Sequence, residues 1–242
     1  MTAPLFLVEA LPDGERATLA GPEGHHAATV QRLRVGEAVL LGDGRGGTAS
    51  AVVTGVGRST LDLQVTDRRY EQPPAHRLVV VQAIGKGDRS ELAVQAMTEV
   101  GVDEIVPWPA ARSVVRWRGE RGERAWRRWG LTSREAAKQA RRARLPAVSP
   151  PADTPAVAQR LQSAAAGLVL DSQAELSLGA VPLPPAGEIV LVVGPEGGLA
   201  PAELTAFDSA GAHQIRLGAT VLRVSTAGVA ALAVLSTRLE RW

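Results

Sequence analysis

Short apolar runs dominated by valine, leucine and isoleucine recur at 78–84, 105–106, 167–170 and 189–193. Runs of this kind suit strands buried on both faces of a parallel sheet. Stretches with helical spacing alternate with them. The pattern predicts helices from Ser90, a suitable N-cap, to about Val100, over 124–142, after the 150–155 loop to about Ala165, and from Pro201. One arrangement then occurs twice near the C-terminus. The strand at 189–193 runs into Gly194-Pro195-Glu196-Gly197-Gly198-Leu199 and a helix opened by Pro201, whose missing N–H is not needed at a first helical position. The strand at 213–218 runs through Thr220-Val221-Leu222-Arg223 into an alanine-rich helix over about 226–239. Ligands of parallel sheets bind beyond the carboxyl ends of the strands, so these two loops are the predicted site.

The N-terminal third follows a different rhythm. Apolar positions at 5–8, 39–41 and 49–56, with strict alternation at 61–65, predict a small β-rich domain. Asp43-Gly44 supplies a hairpin signal between two of these strands. A short helical stretch begins at His25-His26 and reaches about Leu33. Adjacent histidines point in different directions on a helix, so no metal site is expected there. Pro73-Pro74 marks a linker over 67–76, and the chain is divided into domains at 1–72 and 77–242.

Composition narrows the chemistry. With no cysteine there is no disulfide framework, thiol nucleophile or cysteine-ligated zinc. No apolar run approaches the roughly 20 residues that span a bilayer, and the N-terminus lacks a secretory pattern, so a cytoplasmic protein is expected. The net charge of +2 conceals an asymmetry: residues 77–150 carry 15 basic and 8 acidic side chains. Within 112–144 there are 12 basic residues, interleaved with Trp117, Trp126 and Trp129. This stretch reads either as an RNA-facing surface or as a solvated helix face with arginine stems over apolar surface; the clustering favours RNA. The glycines of the 194–199 loop allow close backbone approach to a ligand, but the loop lacks the Lys-Ser/Thr of a phosphate-cradling Walker motif.

Val193-Gly194-Pro195-Glu196-Gly197-Gly198-Leu199, then Leu217-Gly218, Val221-Leu222-Arg223 and Thr226-Ala227, resemble the C-terminal signature of the 16S rRNA (uracil-N3) methyltransferase family, the RsmE type of the SPOUT methyltransferases. The likeness extends over nearly the whole chain. It implies an N-terminal PUA-like RNA-binding β-barrel and a C-terminal α/β SPOUT domain with a trefoil knot. It also implies S-adenosylmethionine as cofactor, a uridine of small-subunit 16S rRNA as substrate, and a homodimer packed through the knot. Leu170, Gly194, Glu196, Gly197, Gly198, Leu217, Gly218 and Leu222 then become cofactor-binding candidates. Arg223 and Glu196 become catalytic candidates, and His26, Arg32, Arg34, Lys86, Arg89, Arg112 and Arg142 become RNA-binding candidates. Read without the family, Glu99 and Arg112 could be an ion pair. The stripe Val229-Leu232-Ala233-Leu235 could be interface or core.

Three positions depart from the family pattern. Pro4 precedes the first strand where an arginine is usual, and Lys138 and Ser225 stand where glutamates are usual. No general base follows from the sequence. A ribose 2′-hydroxyl or another base as methyl acceptor, or an RNA-binding assembly factor without catalysis, remain the alternatives.

Overall fold

In the computed structural model, which describes residues 3–242, the apolar runs become the strands of two sheets, one in each of two units. The first unit holds β1 (Leu5–Leu7), β2 (Arg16–Leu19), α1 (Gly21–His25), β3 (Ala38–Gly42), β4 (Gly47–Val56) and β5 (Leu61–Tyr70). Its sheet runs β1-β3-β4-β5-β2, parallel between β1 and β3 and antiparallel elsewhere. Phe6, Leu19, Val39, Leu41, Val53, Leu61 and Leu63 fill its core. Alternation along β4 and β5 puts Val53, Leu61 and Leu63 on the buried face, as period-2 patterning requires.

Local signals missed some features here. β2 is short and mostly solvent-facing, so it carries no apolar pattern to read. β5 continues to Tyr70, inside the predicted linker, because the ladder with β4 extends over Asp67–Tyr70. The helical stretch starts at Gly21 rather than at the histidines and passes into a π-helical turn at His26–Val30.

The second unit contains β6 (His76–Ala83), α2 (Arg89–Glu99), β7 (Glu104–Trp108), α3 (Gly119–Gln139), β8 (Ala147–Val148), α4 (Thr154–Ser163), β9 (Ala166–Leu170), β10 (Gly187–Val193), α5 (Pro201–Ser209), β11 (His213–Ile215) and α6 (Val224–Arg238). The sheet order is β11-β9-β10-β6-β7-β8, parallel throughout. Apolar residues pack on both faces. Met97, Trp129, Leu232 and Leu235 cover one side of the central strands, and Val157, Leu161 and Phe207 cover the other. Burial on both faces is why these strands read as unbroken apolar runs rather than as alternation. Of the stripe Val229-Leu232-Ala233-Leu235, Leu232 and Leu235 are fully buried core residues, whereas Val229 and Ala233 are part-exposed.

Residues 137–145 join the first unit, although the division at 72/77 leaves them in the second. The nearly buried Lys138 bonds Glu23 at 3.0 Å, and Arg144 donates to Glu71 O at 2.6 Å and Tyr70 Oη at 3.0 Å. Lys138 thus spends its charge inside the fold rather than adding to a basic surface. No spacing rule links residues so far apart in the chain. Among the described residues no helix is long and apolar enough to cross a membrane.

Candidate cofactor and substrate site

β11, β9 and β10 are neighbours in the sheet, so the loops that leave their carboxyl ends converge. They enclose a cavity of about 650 Å³. The β9 loop contributes Leu170 and Asp171, the β10 loop residues 194–199, and the β11 loop Leu217, Gly218, Val221 and Leu222. All eight cofactor-binding candidates line this one space.

The glycines of the β10 loop have separate reasons. Gly198 N–H donates to Pro195 O at 2.9 Å, and Gly198 adopts φ +72°, where side chains are strained. Gly197 is closely approached by a neighbour, since a Cβ there would stand 3.2 Å from Arg112 Cβ. Arg112 Nη1 donates to Gly197 O at 3.2 Å. Arg112 therefore braces the glycine loop, and it does not pair with Glu99, which instead accepts from Gln95. Ser90 likewise is not an N-cap. Asp88 occupies that position, and the buried Ser90 Oγ accepts from Gly85 N–H at 3.0 Å, holding the loop after β6.

Glu203 is a residue whose importance the sequence understated. Its position in the first turn of α5 suits the positive end of the helix dipole. In the structure its buried carboxylate also accepts from Ala111 N–H at 2.6 Å and Ala200 N–H at 2.8 Å. One carboxylate thus ties the segment carrying Arg112 to the end of the glycine loop. Only the acidic residue at the third position of the helix signalled it.

Arg223 caps α6 through its carbonyl, which accepts from Thr226 and Ala227 N–H at 2.9 Å. The helix starts before the predicted Thr226 because this cap is backbone, with no side-chain signature. Both sequence neighbours of Arg223 line the cavity, and its own side chain is exposed. Glu196 also lines the cavity; a Cβ on Gly85 would stand 3.3 Å from its Oε1. Ser225 is buried in the first turn of α6.

The RNA-binding candidates are divided between the two units. Lys86 and Arg89 are exposed at the β6–α2 loop in the second unit. His26, Arg32, Arg34 and Arg142 belong to the first unit. His26 packs edge-on to Phe6 and contacts Gln31, whereas Arg32 and Arg34 are exposed. Arg32 adopts φ +55°, uncommon for a side-chain-bearing residue. The tryptophans of the basic stretch turn inward. Trp129 is buried, Trp117 meets it edge-on at 5.0 Å, and Trp126 Nε1–H donates to Val148 O. Trp129 is thus a core residue, while Trp117 and Trp126 are half-buried.

Residues 71–236 match the RNA methyltransferase domain family and residues 19–66 the RNA methyltransferase PUA domain. The chain is 47% identical over 248 residues to ribosomal RNA small subunit methyltransferase E of Mycobacterium tuberculosis, covering 100% of this chain and 94% of that one. The Bacillus subtilis protein of that name is 29% identical, with 92% and 90% covered. Among solved structures, the Neisseria gonorrhoeae ribosomal RNA small subunit methyltransferase E bound to S-adenosyl methionine superposes with a TM-score of 0.87 at 27% identity, covering 98% of each chain. A probable rRNA-methyltransferase from Porphyromonas gingivalis gives 0.79 at 26%, with 98% and 99% covered.

Proposed function

The chain belongs to the RNA methyltransferase family, in the group of ribosomal RNA small subunit methyltransferase E, and on that premise we propose that it transfers a methyl group from S-adenosylmethionine to N3 of a uridine in 16S rRNA of the small ribosomal subunit. The observation that carries the reading is the cavity built by three adjacent βα loops with Arg223 beside it.

The cavity suits the cofactor. Its volume lies within the usual range for small-molecule sites. Leu170, Leu199, Leu217 and Leu222 offer apolar surface for an adenine, and the glycine loop offers backbone groups at close range. Asp171 and Glu196 are the acidic residues of the lining, and their charge suits a cationic ligand. S-adenosylmethionine, when bound, supplies a methyl group already activated on a sulfonium.

The protein then has two tasks, alignment and removal of the weakly acidic N3 proton. Arg223 orients the uracil and stabilises the negative charge left on its ring as that proton departs. Ser225 stands where the family has a glutamate, and a buried hydroxyl does not accept a proton at neutral pH. Glu196, a carboxylate of the cavity wall, takes that role in this reading. The reading includes a homodimer, to which the exposed apolar side chains of Val221 and Leu92 would contribute contacts. A cytoplasmic location follows from a ribosomal substrate.

The test uses methyl-labelled S-adenosylmethionine and small ribosomal subunits lacking the modification, followed by nucleoside digestion and mass spectrometry. Labelled 3-methyluridine is the expected product. A ribose-methylated nucleoside would keep methyl transfer and overturn the N3 assignment. Absence of label despite cofactor binding would leave an RNA-binding assembly factor.

A further inference from the structure

A second cavity, of about 640 Å³, opens between the loop after β6 and the N-terminal half of α3. Arg116, Arg121, Arg124 and Arg128 line it, against the carboxylates of Asp88 and Glu91. Trp117 and Trp129 pack against each other at one side, and four guanidinium groups against two carboxylates leave the lining with an excess of positive charge. Its wall is set by close packing: a Cβ on Gly122 would stand 2.9 Å from the Trp117 carbonyl carbon.

The four arginines are engaged to different degrees. Arg116 is anchored, donating to Pro109 O at 3.0 Å and Ala111 O at 2.9 Å. Arg128 bonds Glu91 at 3.2 Å. Arg124 reaches only the exposed Glu120, at 3.4 Å, and Arg121 has no hydrogen bond or ion pair among the described residues. Both lie in the first two turns of α3, at the positive end of the helix dipole. Cations are disfavoured in the first turn, so helix stability does not account for Arg121, whereas Arg124 has the i,i+4 pair with Glu120. An anion seated between them would relieve both, and the planar guanidinium fork matches a phosphate.

The cavity adjoins the cofactor site. Gly85 lines it, and Glu196 of the cofactor cavity lies against the same glycine. We propose that this arginine-lined cavity holds a phosphodiester of the substrate RNA strand next to the nucleotide presented to Arg223. The proposal rests on the RNA methyltransferase reading and adds a binding site to it. Arg121 and Arg124 pair with the phosphate oxygens, while Arg116 contributes a fixed positive charge.

The experiment measures binding of unmodified small ribosomal subunits to the full chain with S-adenosylhomocysteine present, over a range of salt concentrations. The Arg121→Gln, Arg124→Gln double variant should bind about tenfold more weakly at moderate salt. Its plot of log affinity against log salt should be shallower by about 0.7 for each phosphate that is no longer neutralised. S-adenosylmethionine affinity, measured by calorimetry, should be unchanged. Arg127→Gln removes the same charge from the same helix outside the cavity and should leave the salt slope as it is. Equal affinity and slope in the double variant would overturn the site. Should that variant lose cofactor binding, Arg121→Gln alone decides by the same two outcomes. If the wild-type protein makes no 3-methyluridine while the variant still binds more weakly, the uridine assignment falls and the phosphate site stands.

Discussion

Arg223 is held by its own backbone, whose carbonyl caps α6, while its exposed guanidinium makes no ion pair among the described residues. A side chain so placed can be removed without disturbing the core. Arg223→Ala should lower the rate of methyl transfer by about 10²–10³ in single-turnover measurements, the usual loss of one group stabilising developing charge. Cofactor affinity should stay within a few-fold of wild type. Glu196→Gln should also slow transfer in the same single-turnover measurement. Glu203 presents the opposite case, a buried group with structural work. Glu203→Ala leaves Ala111 and Ala200 N–H without their acceptor, and thermal unfolding should report a loss of about 3 kcal/mol. Its cofactor affinity should fall as well, because Arg112 and the glycine loop lose their common tether.

At the scale of elements, α6 connects the core to the site. It packs on α2, and Gly228 makes the approach close enough that a Cβ there would meet Met97 Sδ at 2.7 Å. Gly228→Val should cost about 2 kcal/mol by overpacking, read from the denaturant midpoint. Because Arg223 caps this helix, methyl transfer should fall with it. α3 illustrates how one amphipathic helix can be misread. Its charge density is visible in the sequence, but Trp129 is buried and Trp126 is half-buried with its Nε1–H donated to Val148 O, so charge clustering alone does not tell which of its aromatic side chains are exposed. β5 shows the converse: polar residues at 67–70 look like linker, and pairing with β4 makes them strand.

Over the whole molecule, the second unit separates stability from chemistry along its strands. The cavity is at their carboxyl ends, and near the amino ends Glu104, Arg77 and Glu188 from three neighbouring strands meet Arg160 of α4. Burial pushes the Glu104 carboxyl up, but hydrogen bonds from Arg160 and Ser149 and the charges of Arg160 and Arg77 outweigh it and hold it below the ordinary value of 4.5. The bonds to Glu104 and Glu188 raise the Arg160 guanidinium further, so it stays charged. A carboxylate depressed in the folded state contributes stability at neutral pH that is lost as pH falls below 4.5 towards the folded value. Glu104→Gln should cost about 3 kcal/mol at pH 7 and flatten the decline of stability on acidification, followed by denaturant unfolding. Cofactor affinity at neutral pH should be unaffected in the folded fraction.

The sequence alone determined five of the six strands of the parallel sheet and the two glycine-bearing loops, and the family resemblance added the individual residues that line the cavity. The strands and loops depend on local properties: unbroken apolar runs, glycines before a helix, and Pro201 at a first helical position. Sheet geometry then carries such loops to one end without further information. Only the tertiary structure decided which charges are used within the fold. It joined Lys138 to Glu23, separated Glu99 from Arg112, bridged two segments through Glu203 and gathered arginines around a second cavity. It also assigned 137–145 to the first unit. Each of these depends on side chains distant in sequence meeting in space, and hydrophobic periodicity records which face of an element is buried but not what it is buried against.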